Sequence, residues 1–389
     1  MKSIDQIKRS FLKLYGSDPT VVSAAPGRVE FIGNHTDYNL GPVIGVAIDR
    51  RIFVAIRRIE ERVFRFASGE SSDFFTLNEL SSPVEGENSW VNYPIGVYNC
   101  LVRRGMDSEG GFELFVDSNL PTGAGLASSA ALELASGKAF CECFGLEVQL
   151  EELAVACKEA ENEFVGVPCG ILDQGVSAFG EEGSLVHIDC RDMLFSVIPL
   201  GKNLSIWIFN THKKHALVES LYSKRHEECL EAVNGLVKAG LEISCLADVS
   251  MDTLEDAKGS LDERIAKRAK HIVGEIYRVE EVKRALVEGN VEKAGKLLFQ
   301  SHASSRDLFE NSIPELDFLV DILRSMPGVL GARLTGGGFG GAVMALAKPD
   351  FTKIYAESVA SAYRGRFGEE PETLECHSAD GACILESSN

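Results

Sequence analysis

No uninterrupted apolar run in this 389-residue chain approaches the ~18 residues of a membrane-spanning helix. The N-terminus, MKSIDQIKRSFLKLYG, likewise lacks the apolar core of a secretory signal. Ile4, Ile7, Phe11 and Leu14 recur there at helical spacing between charges, the pattern of a surface helix. The ten cysteines include no CxxC pair, and Cys141 with Cys143 forms a lone CxC in an apolar, helix-like stretch. They read as buried or half-buried thiols, not as a metal site. Basic residues are in short supply, 39 Lys and Arg against 58 Asp and Glu, for a formal net charge of −19. Nucleic acids and anionic membranes need basic surface, so neither is an expected partner. A few local donors can still hold a small anionic ligand. Internal repeats and low-complexity tracts are missing too. The expectation is a reduced, soluble, cytoplasmic protein, a monomer or weak homodimer, with small-molecule partners.

What is present is ordinary globular composition, 45% hydrophobic and 25% charged, at a length suited to two or three domains. Residues 20–60 read as strands punctuated by Pro and Gly, and 112–118 as another. Helical periods cover WVNYPIGVYNCLVRRG, ALELASGKAFCECFG and 150–164, with strands at 184–190 and 204–210. From 212 to 325 the chain is long helices; strands return at 328–348, then a helix at 352–366 and a final strand near 373–385. Strands and helices are mixed without regular alternation, which favours an α+β class with antiparallel sheet.

Three glycine-rich segments could cradle phosphate. A P-loop fails at Gly137-Lys138, because Ala139 follows and Leu132 occupies the first glycine position. Gly336, Gly338 and Gly341 satisfy G-x-G-x-x-G, but the apolar AVMALAK after them reads as a strand where a dinucleotide fold needs a helix. LPTGAGLASSAAL (120–132) is more specific. Its glycines allow a ligand to approach bare backbone, and Ser128 and Ser129 fall at the N-cap and first turn of a helix, where free N–H groups converge on an anion.

Together, APGRVEFIGNHTDYNLG (25–41), LPTGAGLASSAAL (120–132) and LTGGGFGGA (334–342) resemble, in order, the three motifs of the galactokinase, homoserine, mevalonate and phosphomevalonate kinase superfamily. The first is similar to the galactokinase signature, roughly GR-x-N-x-IGEHTDYN-x-G. EFVGVPCGILDQ, HIDCRD, LYSKRHEEC and SSRDLFENSIPELDFLV match as well, so the resemblance runs from about residue 14 to 385. It implies a two-domain fold with a ribosomal protein S5 domain 2-like N-terminal half and a ferredoxin-like C-terminal half, the active site lying in the cleft. The corresponding boundaries are 1–195 plus a C-terminal strand at 376–389, and 196–375.

The resemblance further implies transfer of the ATP γ-phosphoryl group to the anomeric hydroxyl of a sugar, most simply galactose, with Mg2+. Such chemistry needs charge neutralisation, alignment and a group to attract the hydroxyl proton. Asp173 matches the family's catalytic aspartate, and Arg28 matches its basic partner. Residues Gly123, Ala124, Gly125, Leu126, Ala127, Ser128, Ser129 and Ala130 would wrap the triphosphate, with Trp90 and Tyr93 on the nucleotide side. Ser129 and Glu161 would hold Mg2+, and Glu163 competes for the latter's role. Asn34, His35, Asp37, Gly170 and Tyr222 would contact the sugar, since polyols are held by paired donors and acceptors.

The pattern is broken in three places. Asn34 stands where the family has glutamate, Glu30 where it often has asparagine, and Gly45 where it has proline. Because one altered hydrogen bond can redirect specificity, mannose, N-acetylgalactosamine or galacturonate remain alternative substrates. A non-catalytic sugar and ATP sensor is an alternative of another class.

Overall fold

Ser3 opens the first helix, α1 (Ile4–Tyr15): its hydroxyl accepts from the Gln6 amide, the Gln6 side chain reciprocates, and Gly16 closes the helix with φ 74°. Its periodic Ile7 and Phe11 are fully buried against Val22, Ala24, Phe53, Ala55, Ala67 and Phe115, one face of a sheet. The computed structural model describes residues 3–69, 71, 73–121, 125–214 and 218–388.

The sheet beneath α1 contains β1 (Val21–Ile32), β2 (Val43–Ile59), β3 (Phe64–Ser68), β4 (Phe75–Leu77) and, after α2 (Asn92–Arg103), β5 (Gly111–Ser118). Three helices follow: α3 (Ser128–Phe144), α4 (Leu150–Glu159) and α5 (Leu172–Phe179). Then come β6 (Ser184–Asp189) and β7 (Leu194–Pro199). The strand order is β12-β1-β2-β5-β3-β4, where β12 (Cys383–Ser387) arrives from the far end of the chain; β6 pairs with the start of β2, and β7 with β6. All pairings are antiparallel except β3 with β5. Helix α3 packs on β1 and β2. It buries residues on every side, as a helix sandwiched between layers must.

A second sheet, β11-β8-β10-β9, is antiparallel throughout: β8 (Ser205–Lys214), β9 (Val329–Thr335), β10 (Gly340–Ala347) and β11 (Glu372–Cys376). Between β8 and β9 run α6 (Val218–Lys238), α7 (Met251–Ala257), α8 (Glu263–Val287), α9 (Val291–Ser304) and α10 (Pro314–Leu323); α11 (Lys353–Phe367) precedes β11. One face of this sheet packs on α10 and α11 through Phe209, Leu316, Val343 and Tyr363. The other joins the main core through Ile206, Ile208, Met344 and Leu346.

The α+β class with antiparallel sheets is the one expected. The single strand expected near 373–385 is two strands in different sheets, β11 and β12. Strand β7 ends at Pro199, so the first sheet extends past the expected boundary at 195, and β11 holds the second sheet to Cys376. All ten cysteines are free. Among the described residues no helix is long and apolar enough to cross a membrane.

Candidate active site

Strand β1 carries Arg28 and Glu30 two positions apart, on one face. Beyond its end, Gly33 to Asn39 make a turn that lies against the loops of the second sheet. Together with the start of α5 and the first residues of α6, these segments enclose a cavity of about 500 Å3.

At one wall, Arg28 grips Asp173 bidentately, Nε to Oδ1 at 2.7 Å and Nη2 to Oδ2 at 2.5 Å. Asp173 sits in the first turn of α5, and Arg28 is 8% exposed. The third guanidinium nitrogen donates to the Gly125 carbonyl at 2.8 Å, and the Arg28 amide donates to the Leu126 carbonyl at 3.0 Å. The loop expected to wrap the triphosphate is thus pinned, at Gly125 and Leu126, to the same arginine as the aspartate. Gly27 is what permits that approach, since a Cβ there would lie 2.5 Å from Leu120 Cδ1 and 2.8 Å from the Leu126 carbonyl.

Of the expected triphosphate loop, Gly123 and Ala124 lie outside the described residues. Leu126, Ala127 and Ala130 are buried, so only their backbone can face a ligand. The serines are not the helix cap: Ala127 is, at φ 54°, and no side chain caps α3. Ser128 is exposed at the first helical position and Ser129 follows, half-buried. The leading N–H groups of a 17-residue helix are therefore left to a ligand, the arrangement that binds phosphate.

Behind Ser129 lies a buried acidic cluster. Helix α4 widens to π spacing over Ala160–Val165, and the bulge turns Glu161 inward, where Gln174 Nε2 donates to its Oε2 at 2.7 Å. Burial, followed by the charge of Asp173, pushes the Glu161 carboxyl up, against hydrogen bonds that include one from Ser129. Glu163 points outward to Arg103 at 3.0 Å and is excluded from the competition. Glu133, which sequence reasoning missed, is fully buried one turn after Ser129; it shares Gln174 Nε2 at 3.0 Å and leaves Oε1 without a partner. Its signal was an acid set in the apolar first half of a helix whose other acid, Glu142, lies near its end. No cluster of three or more acidic, His or Cys side chains among the described residues could hold a metal by itself. A hydroxyl beside carboxylates with an unsatisfied oxygen still suits Mg2+, a hard cation that takes most of its ligands from phosphates and water.

Asp37 and Gly170 meet across the cavity so closely that a Cβ on Gly170 would fall 1.9 Å from Asp37 Oδ2. Burial, opposed by a backbone hydrogen bond, and then the charges of Glu30 and Asp173 lift the Asp37 carboxyl to about 6. Tyr222, on α6, faces His35 at 4.9 Å between ring centroids, and burial followed by Asp37 and Glu30 pushes its phenol up.

His35 and Asn34 line the cavity, but their side chains are already engaged. His35 Nε2 is 3.0 Å from the Gly337 carbonyl, which only accepts, so that nitrogen carries the proton and Nδ1 accepts from the Tyr38 hydroxyl at 2.9 Å. Burial lowers its pKa to about 3, leaving a neutral ring. The Asn34 amide donates to Glu30 Oε1 at 3.2 Å and to the Gly336 carbonyl at 2.8 Å; its oxygen accepts from Asn311 at 2.8 Å and Ser305 at 3.4 Å. Direct reading of the sugar by these two side chains, expected from the sequence, is therefore not what the geometry provides; they brace the turn. Glu275, also missed, holds the backbone amides of Gly33 and Asn34. Burial would raise its carboxyl, but Arg278 and then His271 bring it down to about 2. The third glycine motif is a hairpin between β9 and β10 whose carbonyls serve this turn, not a dinucleotide loop.

Trp90 does not line the cavity. It is half-buried and packs edge-on to Phe66 at 6.3 Å. Tyr93, one turn later, is nearer the acidic cluster: burial and then Glu161 and Glu133 push its phenol up.

Three family patterns cover most of the chain: the galactokinase galactose-binding signature at residues 9–58, the GHMP kinases N terminal domain at 92–181 and the GHMP kinases C terminal domain at 282–367. A galactokinase from Roseiflexus sp. (strain RS-1) is 37% identical, over 98% of this chain and 97% of its own. A galactokinase from Chloroflexus aggregans is also 37% identical, over 100% and 99%. Among solved structures, that of Lactococcus lactis galactokinase complexed with galactose superposes with a TM-score of 0.91 at 33% identity, covering 98% of this chain and 100% of that one.

Proposed function

The chain belongs to the galactokinase family of the GHMP kinases, and on that premise we propose that it transfers the γ-phosphoryl group of ATP to the anomeric C1 hydroxyl of galactose. The observation that carries this reading is the bidentate Arg28–Asp173 pair, set between a cavity of sugar size and the uncapped start of α3. An intact pair also favours turnover over a sensor that only binds.

In this reading the sugar occupies the cavity with its C1 hydroxyl toward Asp173. Arg28 orients that carboxylate, so it accepts the hydroxyl's hydrogen bond and then its proton as the new O–P bond forms and the bond from the γ-phosphorus to the ADP oxygen breaks. The guanidinium also offsets charge on the transferring group, and the α3 N–H groups receive phosphate oxygens. Ser129 and Glu161 would hold Mg2+, which neutralises charge on the phosphates when bound. Asp37 accepts from sugar hydroxyls, while Gly170, by lacking a side chain, leaves Asp37 its place. Asn34 and His35 fix the turn that presents Asp37.

Coupled ADP release across galactose, mannose, glucose, N-acetylgalactosamine and galacturonate tests the proposal. Galactose should give the highest kcat/KM. A higher value for another hexose, or no sugar-dependent ADP release at all, would overturn it.

A further inference from the structure

We propose that Glu30 is a sugar-binding carboxylate of this chain and sets its specificity, with Asn34 as the residue that positions it. The inference rests on the cavity being the sugar site, as argued above.

Glu30 lines the cavity, is 5% exposed, and lies on the same face of β1 as Arg28. Its Oε1 accepts from Asn34 Nδ2 at 3.2 Å and lies in ion-pair contact with Arg333 Nη2 at 2.9 Å. Arg333 comes from β9 of the second sheet and is fully buried, so it fixes the carboxylate and balances its charge. No hydrogen bond from a described residue occupies Oε2. A carboxylate can accept about four hydrogen bonds, so the acceptor capacity left at Glu30 faces the cavity. The Asn34 amide has none to spare: both its protons and both its acceptor positions are taken. Glu30 also acts electrostatically on Asp37 and Tyr222, which line the same cavity.

Viewed against the galactokinase pattern, positions 30 and 34 have exchanged amide and carboxylate. Because the two side chains touch, the exchange moves the negative charge within one cavity instead of removing it. The ligand that fits is a neutral polyol with a hydroxyl donor directed at Glu30. A sugar carboxylate has no proton to donate to Glu30 or Asp37, so an anionic sugar fits this wall of the cavity less well than a neutral polyol.

The test compares wild type with Glu30→Gln, Glu30→Asp and the exchange variant Glu30→Asn/Asn34→Glu. Each is assayed with galactose and its single-deoxy analogues, alongside the KM for ATP and the melting temperature. Glu30→Gln should raise the galactose KM by roughly tenfold or more, the loss expected of a charged hydrogen bond. The KM for ATP should stay within about twofold. One deoxy analogue, whose missing hydroxyl costs wild type about tenfold, should cost the variant little. The exchange variant should recover galactose use to within about threefold of wild type. Glu30→Asp keeps a counter-charge for Arg333, so it should fold even where Glu30→Gln does not, and should show the same loss confined to one hydroxyl. A galactose KM within about twofold of wild type in Glu30→Gln, or equal losses for every deoxy analogue, would reduce Glu30 to the counter-ion of Arg333 and overturn the proposal. Wild type that ignores galactose would instead sink the parent reading, and the Glu30 variants would then be judged on the hexose it does use.

Discussion

Replacing Asp173 by asparagine changes one atom of the side chain and separates its chemical role from its structural one. The amide oxygen can still accept from Arg28 Nε, so one of the two contacts, at 2.7 Å, survives. The other is lost, because the new NH2 group cannot accept from Nη2, now 2.5 Å from Oδ2. Arg28 keeps its bond to the Gly125 carbonyl at 2.8 Å. The side chains are 9% exposed for Arg28 and 26% for Asp173, so the lost charged bond belongs at the low end of the usual ~1.5–3 kcal/mol. A melting temperature lowered by about 5 °C or less follows for a chain of this size. The chemical loss is larger. An amide cannot receive the C1 proton, and positioned bases contribute about 10²–10⁴ in rate, or roughly 2.7–5.4 kcal/mol of barrier. Coupled ADP release at saturating galactose and ATP reads kcat, titration calorimetry reads ATP affinity, and a thermal melt reads the fold. The expected result is a kcat at least ~100-fold lower, with ATP binding nearly unchanged. A kcat within tenfold of wild type would remove Asp173 as the base, and a melt lowered by more than about 10 °C would assign the loss to structure.

Gly170→Ala should raise the galactose KM by about tenfold or more without changing ATP binding, since the new methyl falls on Asp37 Oδ2; an unaltered KM would show that Asp37 is not held where the sugar needs it. Asp37 is lifted to about 6, and it must be ionised to accept from two hydroxyls, so kcat/KM for galactose should rise with pH through about 6. Asp37→Asn should lower kcat/KM and abolish that limb, and persistence of the limb would assign it to another group. Glu161→Gln with Ser129→Ala should raise the Mg2+ concentration needed for half-maximal rate. Glu163→Gln, whose carboxylate only meets Arg103 at the surface, should leave it unchanged, and reversed effects would exchange their roles. Neither Ser129 nor Ser128 caps α3, so the serine change should barely move the melt.

How far the sequence alone reaches depends on whether a feature is local. Hydrophobic period, glycine placement and chain order are properties of neighbouring residues. They sufficed for α1, for the β1–β2 pair, for α3 behind its glycine loop and for the family's three motifs. Arg28 could be singled out inside the first motif, Asp173 inside EFVGVPCGILDQ, and Glu161 only by its place twelve positions before Asp173 in the family resemblance. What each side chain meets is not local. The Asn34 oxygen is taken by Asn311, 277 positions away, so a residue expected to read the sugar turns out to be fully occupied. Glu161 and Glu163 are indistinguishable in the string, and only the π bulge after α4 turns the first inward. Residues near 373–385 read as one strand, yet β11 completes the second sheet while β12 pairs with β1, because edge pairing is decided by which strand is left open. Glu30 looked like a departure from a pattern; its contact with Arg333, 303 positions on, is what makes it a charged wall of the cavity. Sequence thus determined the parts and their chemistry, and the packing of the two sheets decided which polar atoms were already satisfied and which were left for a ligand.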